Sequence, residues 1–164
     1  MKSRGTVVLG VFVILTLYFH AALAQGTPAQ QGFPGHWKLN FKKSDLTSLY
    51  GSSSISGNLV IEEVGPAKVK YKTTLIDPNG GKHTRTFDAA PDGSPHRLGG
   101  SDRNMKVSYV LKGDALEGTW NIGSGDVIHE VTTVSSDGQT LTSMSEGAFR
   151  NGVLKWSEVY DREK

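Results

Sequence analysis

Near the end of the chain a carboxylate stands among large apolar side chains, in the alternating order Leu154, Trp156, Glu158 and Tyr160. Successive side chains of a strand point to opposite faces, so these four residues share one face if the segment is extended. A carboxylate on an inward face costs on the order of several kcal/mol unless a partner or a ligand compensates its charge. The pattern predicts either a polar anchor inside a pocket or, alternatively, a carboxylate at a rim in water.

A basic partner for Glu158 occurs on a second mixed face, which is formed by His83, Arg85 and Phe87. We predict that Glu158 and Arg85 form the polar anchor of a binding pocket. Aromatic side chains of the other alternating segments should form its walls, because they carry much of the apolar area of the chain. The predicted ligand-binding residues are Tyr71, Arg85, Phe87, Tyr109, Trp120, Trp156, Glu158 and Tyr160.

The histidines that follow the first segment do not have the spacing of a metal site. They are His36, His83, His96 and His129, and no two of them are two or four positions apart. Those spacings would bring two imidazole rings to one ion. No phosphate loop or dinucleotide fingerprint occurs either. We therefore predict no metal and no cofactor.

Few groups are available for catalysis. His129 and Glu130 are adjacent, so on a strand they point to opposite faces and do not share a pocket wall. His129 is therefore predicted to be a packing or surface residue. The Gly-x-Ser-x-Gly and His-Glu-x-x-His motifs are absent. An enzyme on this chain, for example an isomerase or hydrolase, would use Glu158, Arg85 or His129 as acid, base or charge stabiliser.

The elements that must position these residues are short strands separated by turn signals such as Pro78-Asn79-Gly80-Gly81. Gly, Asn and Asp tolerate the positive φ angles of tight hairpins. Between the turns apolar residues alternate with polar ones, as expected for half-buried antiparallel strands. Strands are predicted at 35–41, 57–64, 67–76, 82–88, 95–98, 104–111, 115–122, 126–135, 139–147 and 152–161, with a short helix over 44–50.

This many antiparallel strands must protect their edges. Closure into a barrel does so with short hairpins alone, whereas a sandwich generally needs longer crossovers. We predict an all-β antiparallel meander closed into a barrel of about eight to ten strands. Such a barrel is either filled by side chains or just wide enough for one small ligand.

The first 24 residues have the three parts of a secretory signal peptide. Lys2 and Arg4 precede the apolar run 7–19, and Ala22 and Ala24 supply the small residues of a cleavage site. The run is shorter than the roughly 20 residues that cross a bilayer as a helix. We predict cleavage after Ala24, export to the periplasm or outside the cell, a bacterial origin, and no stable membrane insertion afterwards.

Removing residues 1–24 leaves 140 residues with 16 basic and 16 acidic side chains and no Cys. A neutral chain has little affinity for phosphate backbones, so nucleic-acid binding is not predicted. Without disulfides, stability must come from core packing. The Gly-, Pro- and Gln-rich residues 25–34 are predicted to form a flexible tether, followed by one barrel domain over 35–164.

The triplet Gly35-His36-Trp37 at the start of the first strand resembles the Gly-x-Trp signature of the lipocalins and the wider calycin group. That resemblance implies a Trp packed across the closed end of a barrel and covered by an Arg late in the chain, here Arg162. The segment from Gly35 to Asn40 and the ending Val159-Tyr160-Asp161-Arg162 also resemble uncharacterised exported lipocalin-like proteins of bacteria.

These observations predict an exported β-barrel that binds a small hydrophobic or amphipathic ligand without catalysis. A barrel with many aromatic strand residues offers the dry, concave and preformed site that such ligands favour. Two alternatives stay open. The core is filled and the protein acts through its surface as an envelope or interaction module, or the barrel is a small enzyme. The interior volume and its polar groups distinguish the three.

Overall fold

The computed structural model describes residues 32–123 and 125–164, so the predicted signal peptide and most of the predicted tether lie outside it. The described residues form eleven strands and one helix of four residues. The predicted all-β class is confirmed, with one strand more than the upper predicted number. The elements are β1 (Gly35–Leu39), α1 (Thr47–Tyr50), β2 (Ser56–Val64), β3 (Val69–Ile76), β4 (Lys82–Ala89), β5 (His96–Arg97), β6 (Gly99–Gly100), β7 (Lys106–Lys112), β8 (Ala115–Asn121), β9 (Val127–Val134), β10 (Thr140–Phe149) and β11 (Gly152–Arg162).

The strands form an antiparallel meander whose first and last strands pair. Trp37 of β1 lies opposite Arg162 of β11 on one side and opposite Leu59 of β2 on the other. From β11 the sheet continues through β10, β9, β8 and β7, and from β2 through β3 and β4. The result is a nearly closed barrel, with a seam between β4 and β7.

The segment 96–100 bridges that seam. Its first half, β5, pairs with β7, and its second half, β6, pairs with β4. The sequence predicted a single strand over 95–98, whereas the chain here changes partner at Leu98, which is buried in the core. Gly100 has a φ of 82° and lies so close to the Thr84 carbonyl that a β-carbon would overlap it. Only a glycine allows this close pairing with β4.

One end of the barrel is closed around Trp37, which is fully buried. The Arg162 guanidinium lies over the indole ring, with Cζ 4.1 Å from the ring centroid, as the resemblance implies. Arg162 also donates to the backbone carbonyls of Gly138, Pro34 and Gly32. Gly35 is required here because a side chain at this position would collide with that guanidinium.

Residues 32–34, the described part of the predicted tether, pack against the barrel. Phe33 is fully buried, and its carbonyl accepts a hydrogen bond of 3.0 Å from the Trp37 indole N–H. The folded domain thus begins before the predicted start at Gly35. The residues around Phe33 are polar and rich in proline, so the sequence did not predict that this aromatic side chain is part of the core.

The segment between β1 and β2 crosses the opposite end of the barrel. The predicted helix 44–50 is reduced to α1, because Ser44 does not cap it: its hydroxyl instead donates to the Asn40 carbonyl and accepts from the Val159 amide, at 2.9 Å each. Leu46 is buried, and Ser48 donates to the Lys155 carbonyl of β11. Within the described residues, no helix has the length and apolar character to cross a membrane.

Candidate binding cavity

The barrel interior contains a cavity that is partly open to solvent. The cavity has a volume of about 70 Å³. Side chains therefore fill most of the barrel interior but leave a small cavity. The residues that line it are Phe33, Leu59, Ile61, Val64, Tyr71, Thr73, Leu75, Arg85, Tyr109, Leu116, Trp120, Glu130, Thr132, Leu141, Ser143, Glu158 and Tyr160.

One side of the cavity, which we call the apolar wall, consists of inward residues of β2 and β3. Leu59, Ile61 and Val64 of β2 and Leu75 of β3 are all at least about nine-tenths buried. Ile61 lies directly opposite Tyr71 in the β2–β3 ladder. The alternation of these strands puts aliphatic side chains inside and Lys, Glu and Asn outside, which is the pattern that the sequence predicted.

Four aromatic rings, from β3, β4, β7 and β8, form a cluster beside the apolar wall. Tyr71 stacks on Phe87 with ring centroids 5.8 Å apart, and Tyr109 meets both rings edge-on. The Tyr71 and Tyr109 hydroxyls share a hydrogen bond of 2.9 Å. Burial raises the pKa of both tyrosines well above the usual value, so both remain neutral donors at physiological pH.

Trp120 completes the cluster and leaves one donor unused. Its ring meets Tyr109 edge-on at 6.3 Å. Gly118 leaves room for both rings, because a β-carbon there would lie 2.8 Å from Tyr109 Cε1. Among the described residues, the Trp120 indole N–H is one of two buried side-chain polar groups without a hydrogen-bond partner; the other is His96 Nε2. A buried donor without a partner is a natural contact for a ligand or a water molecule.

Arg85 lines the cavity but does not pair with Glu158, which corrects the predicted anchor. Its guanidinium makes an ion pair with Asp102, from the turn between β6 and β7, and lies 5.6 Å from the Trp120 ring centroid. Burial lowers the pKa of Arg85, but the hydrogen bond and charge of Asp102 outweigh that effect and raise it. The Glu158 charge acts on Arg85 only at longer range.

The opposite side of the cavity, which we call the polar wall, is built by β9, β10 and β11. Thr132, Ser143 and Glu158 lie side by side in the ladders of these strands. The Thr132 hydroxyl donates to a Glu130 carboxylate oxygen at 3.1 Å and lies 3.2 Å from the Ser143 hydroxyl. Glu158 accepts a 2.5 Å hydrogen bond from the Tyr160 hydroxyl.

Glu130 is the charged residue of the cavity lining that the sequence reasoning missed. Burial, followed by the charge of Glu158, raises the pKa of Glu130 to about 7. The alternation of β9 placed Glu130 and His129 on opposite faces, as predicted, but the apolar Val131 shares the outer face with His129 and is 42% exposed. Hydrophobicity alone therefore does not give the inner face of β9. The spacing of Glu130 and Thr132 was the available signal for a polar inner face.

Six of the eight predicted site residues line the cavity: Tyr71, Arg85, Tyr109, Trp120, Glu158 and Tyr160. Phe87 lies behind them, against Tyr71 and Tyr109. Trp156 is buried beside Gly147, away from the end of the barrel that Trp37 closes, and is not part of the lining. Their role in ligand binding stays a prediction.

His129, the third group considered for catalysis, lies on the outer surface. Its Nδ1 atom is 3.3 Å from the Thr119 hydroxyl. No group of three or more His, Asp or Glu side chains in residues 32–123 and 125–164 is arranged to hold a metal ion.

Comparisons with known proteins relate the chain by its fold. No protein-family model and no curated protein matches it. Among solved structures, it is similar to a variant of the fluorescent protein UnaG, with a TM-score of 0.59 and 18% identity over 82% of this chain and 98% of that one. It is also similar to the zebrafish ileal bile acid-binding protein in complex with cholic acid, with a TM-score of 0.51 and 13% identity over 80% of this chain and 99% of that one. At these identities the likeness shows a shared β-barrel fold.

Proposed function

We propose that this protein binds a small hydrophobic or amphipathic molecule inside its barrel, without chemistry. The observation that carries the proposal is the interior cavity, with its mainly apolar lining and few converging polar groups. This is the usual composition of a small-molecule site, where apolar area supplies affinity and the polar groups set orientation. One of the similar barrels was solved in complex with cholic acid, an amphipathic ligand.

The unpartnered Trp120 N–H supports the same proposal. A buried donor without an acceptor costs on the order of 1–3 kcal/mol, and a bound molecule with an acceptor atom removes that cost. The free cavity is small, so a ligand larger than a few atoms must displace side chains or reach out through the opening. We expect the aromatic cluster to shift on binding, because it borders the free space.

The uncharged fluorescent probe N-phenyl-1-naphthylamine tests the proposal. We expect its emission to rise on addition of the protein and to saturate at one probe per barrel. Ser143→Leu fills the cavity from β10 and should weaken binding about tenfold, since a filled site loses the contact area that drives affinity. Thr142→Leu, the neighbouring residue on the outer face, is the control. No saturable probe binding by a folded protein would reject the proposal.

The alternative of a surface-acting module has one observation in its favour, the small free volume of the interior. The outer face of β9 and β10 also exposes the apolar side chains of Val131 and Met144, which lie opposite each other in the ladder. If the probe does not bind, this face is the next to examine by substituting both residues with Ser.

Of the three groups considered for catalysis, His129 lies outside the cavity. Glu158 and Arg85 remain inside, but each is held by a different partner: Tyr160 in one case and Asp102 in the other. A general acid or base must lie within hydrogen-bond reach of the proton that it transfers, and both of these groups already bind a partner of the protein itself. We therefore rank catalysis below simple binding.

We further propose that the protein is exported by a bacterial cell after removal of residues 1–24, as a lipocalin-like barrel. The support is the order of Lys2, Arg4, the apolar run 7–19 and the small residues before Gln25. Expression of the full chain in a bacterium, followed by fractionation and mass spectrometry, should give a periplasmic or secreted protein that begins at Gln25. A cytoplasmic protein that retains residues 1–24 would contradict this proposal.

A further inference from the structure

The two carboxylates of the polar wall face the same space with a gap between them. Glu130 lies opposite Ser145 of β10, and Glu158 lies opposite Ser143 of the same strand. Only the small side chains of these two serines stand on the strand between them. Both Glu130 and Glu158 line the cavity, so a ligand that enters it meets both.

Neither carboxylate has a cationic partner. Glu130 accepts from the Thr132 hydroxyl, and Glu158 accepts from the Tyr160 hydroxyl. Arg85 is the cation of the cavity lining, but Asp102 neutralises its guanidinium at short range. The lining with its immediate partners therefore contains more negative than positive charge. Partial burial of two neighbouring carboxylates without a counter-charge is unfavourable, so this wall favours either a bound proton or a bound cation.

We propose that the ligand carries a protonated amine, which binds between Glu130 and Glu158 while its apolar part lies against the aromatic cluster and the apolar wall. This inference rests on the proposed function and names its ligand class. An organic cation suits the site because its charge meets carboxylates and its carbon atoms meet aromatic faces, which also attract cations. A fatty acid or another carboxylate would instead add a third negative charge to the polar wall.

The groups that face Glu130 determine how this binding depends on pH. They are Glu158 and Tyr160 of β11, Arg85 of β4, Tyr71 of β3 and Tyr109 of β7. The three tyrosines stay neutral at physiological pH because burial raises their pKa values. Amine binding must displace the proton of Glu130, so affinity should rise from about pH 5.5 to about pH 8, where an alkylamine with a pKa near that of Lys stays charged.

A series of ligands with one chain length and different head groups tests the proposal. Octylamine, 1-octanol and octanoate are titrated directly into the protein by calorimetry near neutral pH. We expect octylamine to bind at least about tenfold more tightly than octanoate, as two charge-assisted hydrogen bonds require. Glu130→Gln and Glu158→Gln should each weaken octylamine about tenfold and leave 1-octanol within about twofold. Glu146→Gln, on the outer face of β10, is the matched control and should change neither.

The outcomes separate this proposal from the general one. If octanoate binds as tightly as octylamine, or if neither Gln variant weakens the amine, the cationic ligand is rejected even though a saturable probe site remains. If no member of the series and no probe binds, both proposals fail. The comparison of head groups uses the wild-type protein, so it holds even if a Gln variant does not fold.

Discussion

The two walls of the cavity differ although they belong to one continuous sheet. The apolar wall, on β2 and β3, presents aliphatic side chains such as Ile61 and Leu75 and no charge. The polar wall, on β9, β10 and β11, presents two carboxylates and the small hydroxyl residues Thr132 and Ser143. The aromatic cluster and the Arg85–Asp102 ion pair lie between them.

The difference shows how one barrel separates stability from recognition. Burial of the apolar wall supplies the free energy that holds the sheet closed. The polar wall stabilises the fold less, because its half-buried carboxylates have neutral donors and no counter-charge. Residues that destabilise a core in this way are typical of sites whose missing partner is a ligand.

The apolar wall should not tolerate a charge. Ile61→Glu buries a carboxylate among aliphatic side chains without a donor, and we expect it to lower the free energy of unfolding by more than about 3 kcal/mol. Asn58→Glu, exposed on the outer face of the same strand, is the control. Urea unfolding measures both. A similar midpoint for the two variants would show that the apolar wall tolerates a charge.

The polar wall should make stability depend on pH near neutrality. The pKa of Glu130 is raised from 4.5 to about 7, so its stabilising proton is fully bound below pH 4.5 and is lost as the pH rises through about 7. Glu130→Gln should be neutral near pH 4.5 and stabilise the fold by on the order of 2 kcal/mol near pH 8. Thermal unfolding at the two pH values measures this. A variant that is destabilised at the higher pH would contradict it.

The hydrogen bond between Tyr71 of β3 and Tyr109 of β7 lies within the aromatic cluster, between the two walls. Tyr109→Phe leaves the Tyr71 hydroxyl buried without its partner and should cost about 1–2 kcal/mol. Because Tyr71→Phe removes the same bond, the double variant should cost less than the two single changes added together. Urea unfolding of the four proteins provides the cycle. Strict additivity would show that the bond does not contribute.

Asp102 should influence whether the cavity prefers a cationic or an anionic ligand. Asp102→Asn leaves the Arg85 guanidinium without its counter-ion, so octanoate should bind about threefold more tightly and octylamine more weakly. Asp88→Asn is the control, because Asp88 of β4 makes an ion pair with Lys68 at the surface. Calorimetry measures both ligands. Unchanged octanoate affinity would mean that Arg85 does not act on the cavity.

Much of the fold followed from the alternation of residues and the turn signals. The strands of the meander lie within a few residues of their predicted bounds, because hairpin turns and a period of two are local properties. The segment 96–100 was the exception. There the chain divides its pairing between two strands, and two residues of alternation cannot reveal that. The fully buried Phe33 was missed for a related reason, since its neighbours have the composition of a linker.

The order of residues is enough to show which positions alternate, which faces are mixed, and that Tyr71, Arg85 and Glu158 are candidates for one interior. The pairing of Arg85 with Asp102, and the position of Glu130 beside Glu158 at the polar wall, depend on the folded barrel. These two kinds of information differ in the distance along the chain over which they act. The direction of a side chain depends on its own strand, whereas its partner depends on how the whole sheet curves and on which turn lies over its end.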